Sequence, residues 1–98
     1  MKNVKFRSLE FIDILQFKEV YMISEVEWIQ CFAEEVKYYM KQKKMSQREL
    51  ADRSRLAEST ICDVVYGRRI PSFRTVHNIA YGLGVGIEEL TDFGSLIE

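Results

Sequence analysis

Residues 46–67 read SQRELADRSRLAESTICDVVYG, and the spacing of their few apolar side chains decides the fold. Ser46 stands where an N-cap oxygen satisfies free amides, and Glu49 three residues later fits a capping box, so a helix starts here and ends near Ser54. Leu50 and Ala51 supply its buried side. A second helix follows after about three residues, because Ile61, Val64 and Val65 form one stripe from about Ala57. Gly67 closes it, glycine being the residue that enters the left-handed conformation most readily. Two short helices this close in sequence must cross tightly. The small Ala51 permits the crossing, Leu56 roofs the core from the turn, and residues 57–66 are left standing outward.

Outward from this pair the pattern remains helical. Upstream, Ile29, Phe32, Ala33, Val36 and Met40 recur every three or four residues between Glu25 and Lys43, with acids early and lysines late as the helix dipole favours. Downstream, Ser72 caps a helix with the stripe Phe73, Val76, Ile79, Ala80 and Leu83, which Gly84 ends. A short fifth helix starts near Gly86 and turns Ile87 and Leu90 inward. Five helices with no linker and no repeat make an all-α bundle over residues 23–93, with a tail at 94–98. The opening residues 1–22 read as a strand or extended arm, from the alternation Val4-Lys5-Phe6-Arg7, slightly ahead of a helix with the stripe Phe11, Ile12, Leu15 and Lys18-Glu19. A second reading stands beside it: Lys18-Glu19-Val20 is how a ribosome-binding sequence would look if translated, with Met22 at the spacing of a start, so that this extension would not be native.

A chain of 98 residues with 47% hydrophobic content fits one core. Its net charge of −1 hides an uneven distribution. From Lys37 to Arg74 there are ten cations against four acids, whereas Glu25, Glu27, Glu34, Glu35 and, later, Glu88, Glu89 and Asp92 make both flanks acidic. The middle third is the electropositive part. Cys31 and Cys62 form no paired framework, which suits a reducing cytoplasm, and no apolar run is long enough to span a membrane. Neither cysteine has metal-ligand spacing to the single histidine, His77, and no nucleophile with its base is present, so neither an enzyme nor a bound cofactor or metal is expected.

Two short helices in this arrangement form a helix-turn-helix, whose second helix fits a DNA major groove. Residues 45–90 resemble the helix-turn-helix family of phage repressors and Cro proteins, in the order Ser-Gln, Leu-Ala, turn, Ser-Thr-Ile, Gly-basic-basic, Pro-Ser, Ile-Ala, Leu-Gly-Val, Leu. The resemblance implies a five-helix lambda-repressor-like fold and a role for particular residues. Gln47 matches the family's phosphate contact at a helix N-terminus. Glu58, Ser59 and Asp63 match the first, second and sixth positions of the recognition helix, which face base edges, and Arg68, Arg69 and Arg74 match or flank further phosphate contacts.

Four departures from the family pattern stand out. Arg55 replaces the turn glycine, so a residue with a Cβ has to take a left-handed conformation, and Ala57 replaces the serine or threonine that caps the recognition helix. Met40 and Val65 occupy positions where many relatives bury an arginine against a glutamate; both being apolar, no charge is stranded. Finally, the reading face carries acids, which accept hydrogen bonds from cytosine N4 but are repelled by phosphates. The expectation is therefore a cytoplasmic, repressor-like transcription regulator that binds double-stranded operator DNA as a homodimer. Its rival is a protein-binding module, an antirepressor or antitoxin, whose acidic face meets a basic repressor or toxin.

Overall fold

Each described helix begins at a residue with extended backbone, and at three of the five that residue is a serine whose hydroxyl accepts from a free amide of the first turn. The computed structural model describes residues 24–92, and in them helices α1 (Glu25–Gln42), α2 (Gln47–Ser54), α3 (Glu58–Val65), α4 (Phe73–Leu83) and α5 (Ile87–Leu90) follow in order. The fold is all-α, with no strand among the described residues. The arm expected at residues 1–22 and the tail at 94–98 lie outside the described residues. Ser24, Ser46 and Ser72 accept from the backbone three residues on, at Glu27, Glu49 and Thr75. At Ser24 the box is reciprocal, because Glu27 Oε1 accepts from the Ser24 amide at 2.9 Å. The box expected at Ser46 forms only by half. Glu49 turns its carboxylate toward Arg53 Nη2 at 3.4 Å, one turn along the exposed face, instead of back to the Ser46 amide.

The helix ends share one device. After each of α1 to α4 a residue adopts positive φ, and the next amide reaches back five residues to close the turn: Met45 to Met40 O, Leu56 to Ala51 O, Arg68 to Asp63 O and Val85 to Ala80 O, all at 2.8–3.0 Å. Glycine serves at Gly67 and Gly84, but Lys44 (φ 52°) and Arg55 (φ 59°) do the same work with a side chain. The expectation for Arg55 is met; that for Lys44 was not legible, because no glycine-like residue marks the place. A left-handed conformation costs a residue with a Cβ about 1 kcal/mol, which a cation near a helix C-terminus offsets only in part. Arg55→Gly is therefore expected to raise the melting midpoint by about 5 °C, whereas Arg55→Ala, which keeps the Cβ, leaves it unchanged or lower; thermal unfolding followed by circular dichroism checks both.

Phe32, Val36, Leu50, Ile61, Val64, Ile79, Leu83 and Leu90 are fully buried and bring all five helices to one core. Met40 and Val65 lie in the same cluster, so the apolar pair that replaces the family's ionic one is accommodated. Leu56 packs half-buried against this cluster from the turn, as its place between the helices requires. The α2–α4 pair is the most extensive packing of the molecule. It is close because Gly82 of α4 lies against Ser54 and Leu50 of α2. One stripe residue is corrected: Phe73, expected inward, is 74% exposed. It opens α4 directly after Pro71 and Ser72, and its ring lies over the outer face, 6.4 Å from the His77 ring.

Candidate nucleic-acid interface

Helix α3 stands out from the core on the stripe Ile61, Val64 and Val65, all buried, and so presents Glu58 and Ser59 to solvent and Asp63 at its half-buried edge. Its start has no side-chain cap. Ala57 has the extended backbone (φ −67°, ψ 146°) that the capping serines have, yet no oxygen to use it. Glu58 in the first turn supplies a compensating negative charge at the positive end of the dipole. Because the backbone is already in place, Ala57→Ser is expected to stabilise the fold by about 1 kcal/mol, read as a rise in denaturant midpoint with unchanged slope.

Gly67 turns the chain back after α3, and this decides where the two loop arginines go. Arg68 Nη1 donates to Asp63 Oδ1 at 3.3 Å and to Cys62 Sγ at 3.6 Å, and its guanidinium lies 5.0 Å from the centre of the Tyr66 ring. Arg69 Nε sits 3.8 Å from Asp63 Oδ2, and its Nη2 donates to Thr60 Oγ1 at 3.3 Å. The Asp63 carboxylate is thus shared by two guanidinium groups, one on each oxygen. Its hydrogen bond, then the neighbouring Cys62 thiol, push the Arg68 guanidinium above its usual range, so the group stays charged at any physiological pH.

Of the residues singled out from the sequence, Asp63, Arg68 and Arg69 form one cluster. Gln47, half-buried at the first position of α2, and the exposed Glu58, Ser59 and Arg74 share no hydrogen bond or ion pair with it among the described residues. Thr60, Cys62 and Tyr66 complete the setting of the arginines, and sequence reasoning assigned none of them that part. The spacing Asp63 to Arg68 is five, not the three or four that joins side chains on a helix, so only the reversal at Gly67 reveals it. The other cations of the basic middle third, Lys41, Lys43, Lys44, Arg48, Arg53 and Arg55, are all exposed. His77 is exposed on α4, and among the described residues no group of three His, Cys, Asp or Glu side chains is placed to hold a metal ion. None of the described helices is long and apolar enough to cross a membrane.

No curated protein and no solved structure matches the chain. A family model described as helix-turn-helix matches residues 36–90, more than half of the 98-residue chain, from the second half of α1 to the end of α5. With α3 following a tight turn and carrying the exposed Arg68 and Arg69 on its edge, the chain belongs to the helix-turn-helix family of DNA-binding regulators found in Cro and lambda-repressor-like proteins.

Proposed function

We propose that this protein is a repressor-like transcription regulator that inserts α3 into the major groove of a specific operator. The observation that carries this reading is the outward α3 with the guanidinium groups of Arg68 and Arg69 folded onto it. Glu58, Ser59 and Asp63 face base edges, the acids accepting from cytosine N4 and the hydroxyl serving either a donor or an acceptor. Gln47, Arg68, Arg69 and Arg74 hold the phosphates on either side and set the register. A helix of eight residues reads few base pairs, so two copies on a palindromic site would use it twice. Exposed Ile70 and Phe73, beside an apolar groove lined by Trp28, Pro71, Val76 and Ile87, support pairing of two copies.

The rival reading, an acidic face for a basic protein partner, loses weight on the same geometry. Two arginines cover Asp63, so the outward face carries one uncompensated acid, Glu58, among the described residues. The deciding measurement is a mobility shift on duplex DNA flanking the protein's own gene, at 50 mM and 200 mM salt. DNA recognition gives a retarded band that is sequence-dependent and weakens steeply at the higher salt, by at least about tenfold for a few phosphate contacts. Absence of a shift at both salts, together with Glu58→Gln weakening a complex with a basic repressor or toxin, would establish the rival instead.

A further inference from the structure

We infer that Asp63 is an internal stand-in for a DNA phosphate: it occupies the guanidinium groups of Arg68 and Arg69 in the free protein and must be exchanged for phosphate oxygens when duplex DNA binds. This rests on the DNA-binding reading above and concerns how that site is regulated.

The geometry is that of an anion shared between two cations. Asp63 offers one oxygen to Arg68 at 3.3 Å and the other to Arg69 at 3.8 Å, as two oxygens of a phosphate would be offered. The remaining contacts hold the arginines over α3 rather than spread into solvent, through Thr60 Oγ1 for Arg69 and through Cys62 Sγ and the Tyr66 face for Arg68. Both arginine side chains are more than half exposed, at 57% and 52%, while the Asp63 side chain is 32% exposed. The cations are therefore the accessible partners, and an incoming phosphate meets them before it meets the carboxylate. At that exposure the clasp is weak and yields to a polyanion.

The exchange has two consequences. Any duplex must displace the carboxylate before it gains the arginines, so affinity for random sequence is held down. Once displaced, Asp63 is a free acceptor at the sixth position of α3, where a base-pair donor such as cytosine N4 repays the loss and an acceptor does not. The clasp thereby widens the gap between specific and non-specific binding, the quantity a regulator depends on.

The test is a double-mutant cycle on random-sequence duplex DNA at 0.1 M salt, with Asp63→Asn, Arg68→Ala plus Arg69→Ala, and all three together. Removing one negative charge near phosphates tightens binding by about eightfold in either background through counterion release alone. Exchange adds a further factor of about three, the size of an exposed ion pair, only where the arginines are present. Excess tightening confined to the arginine-containing chain is the expected result, and an Arg69 Nε–H signal that exchanges faster with water in free Asp63→Asn than in the parent accompanies it. Equal tightening in both backgrounds overturns the exchange while leaving DNA binding intact, as does unchanged Nε–H exchange. Failure of every variant to bind duplex DNA at 0.1 M salt overturns the DNA-binding reading itself. Asp63→Asn is close to isosteric, and a melting midpoint within a few degrees of the parent identifies the changes as local.

Discussion

Gly82→Ala is expected to lower the melting midpoint by about 10 °C, although alanine is the better helix former. On an isolated helix the substitution gains about 1 kcal/mol. Here Gly82 is buried where α4 presses on the end of α2, and a Cβ would overlap Ser54 Oγ, with the Ser54 amide nitrogen at 3.1 Å and Leu50 Cδ1 at 3.2 Å. The hydroxyl and the methyl can shift; the backbone nitrogen cannot without moving α2. Overpacking of this kind costs about 1–3 kcal/mol, and here the rigid neighbour places it at the upper end, leaving a net loss of about 2 kcal/mol after the helical gain. Moving α2 also moves the turn that aims α3, so DNA binding falls with stability.

Ser54 gives this prediction a second arm. Its hydroxyl oxygen is buried and has no hydrogen-bond partner among the described residues, and a buried polar group left unpaired is destabilising by about 1–3 kcal/mol. Ser54→Ala alone is therefore expected to be neutral or stabilising, since the lost volume is one oxygen atom. In the same chain it removes the nearest obstacle to the Gly82→Ala methyl. The two substitutions together should lie at least about 1 kcal/mol above the sum of their separate effects. Strict additivity in urea unfolding would show that the α2–α4 contact is not where the strain arises.

The second large effect concerns binding. Arg68→Ala with Arg69→Ala is expected to weaken binding to duplex DNA by at least about 60-fold at 0.1 M salt, and to make the logarithmic salt dependence shallower by about 1.8. Each phosphate contact accounts for about 0.9 of that slope, so two contacts at a tenth of molar salt give the stated factor. The substitution also uncovers Asp63, whose carboxylate then faces the DNA backbone without either partner, which adds to the loss. Fluorescence anisotropy across a salt series reads both quantities at once. An unchanged slope would mean that the loop arginines touch no phosphate, whatever happens to the affinity. Stability offers no confusion, because both side chains are exposed and their contacts lie outside the core.

Much of this was legible in the residues. Ser46, Ser72, Gly67 and Gly84 punctuate the helices by backbone chemistry that acts within one turn, and α2 to α4 begin and end within a residue or so of the places read from the sequence. The cost at Arg55 and the missing cap at Ala57 follow from one side chain each, and both are present as expected. Phe73 was misread because a helical stripe does not show where the first turn of a helix leaves the core. Lys44 was missed because left-handed backbone at lysine has no compositional mark; it is forced by the need of the Met45 amide to reach Met40 O.

The pattern of apolar spacing, caps and glycines, read along the chain, was enough to determine an all-α domain with an outward helix between an apolar turn and a basic loop. Those are local effects, each decided by residues within one helical turn of each other. What only the tertiary structure decided is the company each polar group keeps: that Gly82 is the point where two helices meet, that Ser54 buries its hydroxyl, and that Asp63 is held between two arginines. The reason is physical. Such contacts join residues across a chain reversal or between separate helices, where distance along the sequence sets no limit on distance in space.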